Sequence, residues 1–409
     1  MIELKEARAL VHQAAKPLPA ETVPLVRALG RTLARDVRAH EAIPPFTKSA
    51  MDGYAVRAAD TRPAAAGRAG AAARVELRVV EDLPAGRLSR RALGPGQAAR
   101  IMTGAPLPLG ADAVVMVEDT ERTGTEGVLI RRAVRPGDNI GLAGEDLKKG
   151  ETALERGAVI GPAETGMLAA VGLTRVPVIR RPRIAVISTG DEIAEAGERK
   201  KPGQIRNANG PALAAMAVAA GAEASYLGIA RDRSGSLTAK LARARRADIV
   251  VLSGGVSVGD HDLVKDGLGA AGVRTVFWKV RIKPGKPVFF GRRGRQLVFG
   301  LPGNPTSAMV TFLLFVVPAV ERLLGRSGEK PGTAHAVLAA PLSLQPGRTQ
   351  LLRGRIVSTG PVLEVAPYED QRSGVLRSMV HSRVLIVVPA EVSRLEAGTE
   401  VEIFFLDGR

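Results

Sequence analysis

The residues best suited to chemistry lie between Asp248 and Asp262, in the run DIVVLSGGVSVGDHD. Ser253, Gly254 and Gly255 are followed by Ser257, Gly259 and the acids Asp260, Asp262 and Asp266. A glycine-rich turn lets backbone N–H groups close on an anion. No Lys-Ser/Thr pair follows the glycines, so this is not a Walker A loop. Acids beside a phosphate cradle suit a Mg²⁺ ion that bridges carboxylate and phosphate. The expected ligand is phosphorylated and accompanied by a hard metal ion.

Other loops carry similar groups, and each has two readings. Ser188-Thr189-Gly190-Asp191-Glu192 is either an ordinary capping turn or a second ligand loop, with Glu192 near the metal or a transferred group. Lys279, Arg281, Lys283 and Lys286 surround the turn Pro284-Gly285. Such a charge run is either a solvated face or a rigid clamp for a tetrahedral oxyanion. Leu301-Pro302-Gly303-Asn304-Pro305 caps a helix, and also aims a positive helix end and free N–H groups at whatever binds there. Toward the N-terminus, Ser49–Ala55 (with Asp52), Arg100–Ala105 (with Thr103) and Gly144-Glu145-Asp146 are dense in small and polar groups, each a weak signal alone. The five histidines show no metal-ligand spacing.

These loops need elements to hold them. Ile249-Val250-Val251-Leu252 has the β-branching of a buried parallel strand running straight into Ser253-Gly254-Gly255. Open α/β sheets bind ligands at such strand ends. Upstream, Ile184–Ile187 reads as a strand, followed by a helix with Asn209 as N-cap, Pro211 in its first turn and Gly221 as C-cap. A second helix starts at Asn304-Pro305 and includes the apolar stretch Ala308–Val320. The alternation predicts a doubly wound, three-layer α/β/α domain over residues 179–328. Residues 1–178 open with an amphipathic helix over Ile2–Ala15 and continue as an irregular, β-rich region, with an elongated subdomain over 40–145. Pro63–Ala73 is low-complexity and reads as a surface excursion. Residues 329–409 predict a small β-barrel-like domain. The fold class is multidomain α/β plus β.

Composition narrows the function classes. The 409 residues allow two to four domains at roughly 150 each. The absence of cysteine excludes disulfides, thiolate zinc sites and cysteine nucleophiles. No secretory signal is visible and no apolar run approaches about 18 residues, so a cytoplasmic protein with no membrane partner is expected. The net charge of +17 comes mostly from scattered arginine, and only 3% of residues are aromatic. That favours an anionic small ligand or a solvated basic surface over nucleic acid.

Taken together, the loops carry a resemblance. IPPFTKSAMDGYAV, RIMTGAPLPLGADAVV, GLAGEDL, STGDE, SGGVSVGDHD, KPGKP and LPGNP occur in this order over almost the whole chain. The chain resembles the molybdopterin molybdenumtransferase family, bacterial MoeA and the E domain of gephyrin. That resemblance implies an elongated multidomain subunit and a homodimer. It also implies molybdenum insertion into adenylylated molybdopterin, with molybdate as substrate, a divalent cation such as Mg²⁺ involved and AMP released. A transient contact with the molybdopterin adenylyltransferase that supplies the substrate is a further expectation.

Carried over by motif, Asp52, Thr103, Asp146, Glu192, Asp232 and Asp262 match the family's active-site positions, with Glu192 and Asp262 as metal ligands. Lys279, Lys283 and Lys286 match basic positions around the pterin phosphate and molybdate, and Arg353 and Ser373 match positions tied to the oxyanion. Ser188, Thr189, Gly190, Ser253, Gly254, Gly255, Ser257, Pro302, Gly303 and Asn304 complete the expected substrate-binding set. The family pattern FD-x-SAMDGYA loses its first acid here, where Thr47-Lys48 stand. Two other readings share parts of the pattern. Molybdopterin adenylyltransferases have the same α/β domain and loop but are short single-domain proteins. A gephyrin-like scaffold needs no paired acids or lysine clamp, and no segment here reads as an added tether.

Overall fold

The computed structural model describes residues 1–62, 74–233, 235–255, 263–326 and 333–406. The stretch Pro63–Ala73 and the expected boundary at 328/329 lie outside the described residues. Two units are present: Met1–Val23 with Gly30–Ala34 and Pro177–Arg409, and Pro24–Leu29 with Arg35–Val176. Helix α1 (Leu4–Ala14) is amphipathic as expected, and it buries Ala7 and Val11 in the core of the first unit. The sequence division had placed it with the N-terminal region.

The second unit is built on short strands. They are β1 (Gly53–Val56), β2 (Val75–Leu83), β3 (Gln97–Ile101), β4 (Ala113–Met116), β5 (Thr120–Thr123) and β6 (Gly127–Ile130). Their order is β4-β1-β3-β2-β6-β5, antiparallel except where β2 runs beside β3. Tyr54 and Val56 pack into one buried cluster and Ala55 into another, the alternation that puts successive strand residues on opposite faces. Helix α2 (Pro162–Ala170) begins at a proline, and the Glu164 carboxylate accepts the Gly161 N–H at 2.9 Å, satisfying one orphan donor.

The first unit contains the expected doubly wound domain. In chain order come β7 (Arg183–Thr189), α3 (Asn209–Ala219), β8 (Glu223–Ala230), α4 (Ser236–Arg243), β9 (Ile249–Ser253), α5 (Leu263–Ala270), β10 (Arg274–Trp278), β11 (Ile282–Lys283), β12 (Phe289–Arg293), β13 (Gln296–Leu301) and α6 (Pro305–Leu323). The sheet order is β8-β7-β9-β13-β12-β10; the first four strands are parallel, and β12 alone runs the other way, pairing antiparallel with both β13 and β10. Every residue of β9 is buried, as a strand covered on both faces must be. Val251 faces the cluster containing α1, α3 and α6, while Val250 and Leu252 face the one containing Leu237, Leu241 and Leu268 of α4 and α5. That is three layers. Helix α6 is long and apolar enough to cross a membrane, but 72% of its apolar window is buried, so it serves as a core helix. Its hydrogen bonding widens over Phe312–Val316, ahead of Pro318, whose missing N–H and bulky ring disturb the preceding turn.

The segment leading into this sheet is clasped. Both guanidinium Nη atoms of Arg180 donate to the Asp248 carboxylate at 2.8 and 2.6 Å, and the Arg183 N–H donates to the same carboxylate at 2.8 Å. Sequence suggests a linker at Arg180-Arg181-Pro182, and the structure holds it against the start of β9.

The C-terminal part is a closed barrel. Strands β14 (Thr333–Leu338), β15 (Thr349–Thr359) and β16 (Leu363–Pro367) precede a short helix α7 (Arg377–Val380), then β17 (Val384–Val388) and β18 (Glu400–Phe405). The order β15-β16-β14-β18-β17 closes through a β15–β17 pairing. Closure leaves no open edge in the ring. Strand β11 adds to the barrel beside β15, with Ile282 opposite Thr349, so the lysine-rich segment is part of the barrel wall.

Candidate active site at the strand ends

Register builds the site. Ser188 of β7 lies opposite Ser253 of β9, and Ser253 lies opposite Leu301 of β13, so the three strands end level. The loops STGDE, SGG and LPGNP therefore leave the sheet side by side. They line a cavity of about 90 Å³ with Ser188, Thr189, Glu192, Asn207, Asn209, Ser253, Gly254, Gly303 and Asn304 among its walls. Gly254 takes φ +93°, and a Cβ there would stand 2.8 Å from the Thr189 carbonyl oxygen, so only glycine fits.

Asn209 ties two of these loops together. Its Nδ2 donates to Ser253 Oγ and to the Gly303 carbonyl, both at 2.8 Å. Sequence pattern predicts Asn209 as the N-cap of α3, but the structure gives that role to another residue. Asn207 does the capping, since its Oδ1 accepts the Gly210 N–H at 3.1 Å. Asn207 is itself fixed, accepting from Ser188 Oγ at 3.1 Å and donating through Nδ2 to Tyr226 Oη at 2.6 Å. Tyr226 Oη donates in turn to Glu195 at 2.7 Å, and burial pushes the phenol pKa up, so it stays a neutral donor. Asn207 and Tyr226 had no distinguishing signal beyond the Asn-Ala-Asn spacing.

Glu192 is the acid of this cavity. Its backbone carbonyl accepts the Ile205 N–H at 2.8 Å, and the neighbouring Asp191 carbonyl accepts Gln204 Nε2 at 2.8 Å. Arg231 Nη1 adds a bond to the Ile193 carbonyl at 2.7 Å. The loop is pinned while the Glu192 carboxylate has no hydrogen-bond partner among the described residues. It folds back over Gly190, where φ is +127° and any Cβ would collide with it. Asp232 lies beyond, its carboxylate and backbone N–H exchanging 3.3 Å bonds with Asp191. With Thr189 and Asp266 it lines an adjoining cavity of about 210 Å³. Gly255 is exposed at the end of the described turn; Ser257, Asp260 and Asp262 lie outside the described residues.

The helix end is more occupied than sequence suggested. Asn304 holds the N-cap position of α6, and Pro305 opens the helix after Pro302 and Gly303. Asn304 Nδ2 donates to Ser373 Oγ at 2.8 Å, while the Ser373 carbonyl takes the Thr306 N–H and Oγ1 at 3.3 and 2.8 Å. That N–H is not free for a ligand. Ser373 reaches the crevice rim through Asn304, as a residue of the barrel. Arg353 sits behind it, 1% exposed, with Nε donating to Ser378 Oγ at 3.0 Å and Nη2 to the Asp370 and Arg372 carbonyls at 3.0 and 3.1 Å. Burial lowers its pKa, with Asp370 opposing. Nε and Nη2 thus anchor the loop that carries Ser373.

The lysines stand apart from this cavity, whose described lining includes none of Lys279, Lys283 and Lys286. Gly285 packs against Thr311 of α6, about 9 Å along the helix from Pro305 at 1.5 Å per residue. Lys283 and Lys286 are exposed. Lys279 adopts φ +70°, unusual for a side-chain-bearing residue, with its N–H on the Val288 carbonyl at 2.9 Å and its carbonyl accepting from Ile2 at 3.1 Å.

In the second unit, Asp52 and Thr103 are adjacent. Asp52 Oδ1 accepts both the N–H and the Oγ1–H of Thr103 at 2.7 Å. The backbone bond first, then the hydroxyl, hold the Asp52 carboxyl below its usual range. The carboxylate's stabilisation is therefore present above the unfolded-state pKa and is lost as pH falls through the lower folded value. Thr103→Val keeps the backbone donor and deletes the hydroxyl, so the Asp52 pKa should rise part of the way back; a side-chain carboxyl NMR titration reads it, and an unmoved value would refute the hydroxyl's role. Asp146 is exposed, its N–H on the Ile43 carbonyl at 3.1 Å.

Comparison with known proteins agrees with this architecture. Residues 2–172 match the MoeA N-terminal region (domain I and II), 185–322 a probable molybdopterin binding domain, and 335–406 the MoeA C-terminal region (domain IV). Molybdopterin molybdenumtransferase 2 of Mycobacterium tuberculosis is 38% identical over 413 residues, covering 99% of this chain and 100% of that protein. The molybdopterin molybdenumtransferase of Bacillus subtilis is 35% identical over 390 residues, covering 94% and 90%. The crystal structure of a molybdopterin biosynthesis MoeA protein from Pyrococcus horikoshii superposes with a TM-score of 0.85 at 37% identity, over 100% of both chains.

Proposed function

Because the chain belongs to the molybdopterin molybdenumtransferase family, which carries out the final step of molybdenum cofactor biosynthesis, we propose that its strand-end crevice is where adenylylated molybdopterin is cleaved. The observation that carries this reading is Asn209, which joins Ser253 to Gly303 and so ties the glycine turn to the start of α6, in a cavity that Glu192 also lines. Ser188, Ser253 and Asn304 offer polar side chains, and Gly254 and Gly303 allow backbone to approach a phosphate closely. Glu192 orients a water and accepts its proton as the phosphoanhydride P–O bond breaks and AMP leaves.

Mg²⁺ fits this donor set. The described residues hold no cluster of three or more metal-binding side chains, yet Mg²⁺ commonly keeps several waters and needs only one or two carboxylates plus substrate phosphates. Glu192 would supply one carboxylate, and Asp262 is the second candidate. When bound, the ion neutralises charge on the phosphate oxygens. Lys279, Lys283 and Lys286 are read as the molybdate-attracting group, a role suited to ammonium point charges, two of them, Lys283 and Lys286, exposed. A homodimer, and a transient meeting with the adenylyltransferase that makes the substrate, complete the reading.

The discriminating experiment offers the purified protein two substrate pairs. Adenylylated molybdopterin with molybdate should yield AMP and active cofactor. Molybdopterin with ATP should yield no adenylylated product; an adenylylated product there would make the protein the preceding enzyme instead.

A further inference from the structure

At the opposite end of the central sheet, where the parallel strands begin, lies a cavity of about 390 Å³ with an unusual charge balance. Lys16, Arg245, Arg246, Arg292, Arg293 and Arg295 line it, drawn from three separate stretches of chain. Arg180 is there as well, but both its Nη atoms are committed to Asp248. Asp248 is the sole acid among the lining residues, although the chain has 41 acids, and the Arg183 N–H already shares it. Lys16, Arg245, Arg246 and Arg295 make no ion pair among the described residues. Arg293 is half-buried; burial first, and then the nearby Arg245 charge, push its pKa down.

We propose that this cavity is a second binding site for a small polyanion of the di- or triphosphate class. A concave surface lined by one sign of charge focuses the field and raises the local concentration of the opposite ion. Guanidinium groups grip phosphate oxygens bidentately. The volume falls in the range of small-molecule sites. Pro17, Leu18 and Leu323 give one apolar wall, and the Leu18 N–H is fixed on the Leu323 carbonyl at 2.9 Å. An organic group attached to the phosphates could rest on that wall. The site is distinct from the strand-end crevice and does not depend on the reaction assigned to it.

Isothermal titration with sodium tripolyphosphate and, separately, with ATP tests the proposal. The wild-type protein should bind tripolyphosphate at this site, more weakly as salt rises. The variant Arg245→Gln/Arg295→Gln, altered at two exposed positions, should lose at least about tenfold in affinity, as the loss of charge-assisted bonds requires. Asn209→Leu, at the strand-end crevice, should leave this binding in place. Tighter binding of ATP than of tripolyphosphate would assign the site to a nucleotide, and equal binding to the phosphate chain alone; either supports the proposal. An unchanged affinity in the double variant, or loss with Asn209→Leu instead, would overturn it. Failure of both anions to bind would also overturn it and favour an acidic protein surface as the occupant.

Discussion

Replacing Glu192 by leucine should abolish molybdenum insertion and leave the fold intact. The side chain is exposed and has no hydrogen-bond partner among the described residues, so its loss costs little; substitutions at such positions usually stay within about 0.5 kcal/mol. The chemistry is another matter. A positioned general base contributes roughly 10²–10⁴-fold, so AMP release from adenylylated molybdopterin should fall by at least about 100-fold. Glu192→Gln separates charge from shape: it keeps the length and planarity over Gly190 but carries no negative charge to take a proton or meet a cation. Both variants should unfold at the wild-type temperature. Full activity in either would remove Glu192 from the mechanism, whereas a lowered unfolding temperature would show that the side chain holds the loop.

How far the sequence could be read depended on whether a residue's role follows from its neighbours in the chain. The parallel sheet was legible because Ile249–Leu252 is uniformly apolar and ends in glycines, a pattern with few alternatives. The level ending of three strands, which makes the crevice, is a matter of register between distant segments and was not stated by the loops themselves. Asn209 was misread because asparagine serves equally as a cap and as a bridge between loops; only the placement of Asn207, two residues earlier, decides which does which. The two-residue strand Ile282–Lys283 could not be foreseen, since its pairing with Thr349 and Gln350 is a long-range contact without local periodicity. That pairing and the packing of Gly285 on Thr311 set where the lysines stand. Their charge was visible in the sequence, but their surface was not.

Arg353 shows the same limit and yields the second large effect. By residue type it is a phosphate or oxyanion ligand; by burial it is the anchor of the loop carrying Ser373. Its guanidinium bonds Ser378 Oγ and two carbonyls, while its own N–H donates to Gln371 Oε1 at 3.0 Å and its carbonyl accepts Gln371 Nε2 at 2.8 Å. Arg353→Met fills much of the volume but leaves the Asp370 carbonyl short of a donor, while the Arg372 carbonyl keeps the Val375 N–H at 3.2 Å. Such an unsatisfied group costs about 1–3 kcal/mol, so the protein should lose about that much, read as a lowered denaturant midpoint. Arg353→Lys should not restore it, because a single ammonium lacks the planar fork that spans these acceptors. Released from its anchor, the loop should carry Ser373 away from Asn304 and the Thr306 N–H, so insertion activity should also fall at temperatures where the variant is still folded. A variant as stable as wild type would refute the anchoring role; one that is destabilised yet fully active when folded would separate Ser373 from the crevice.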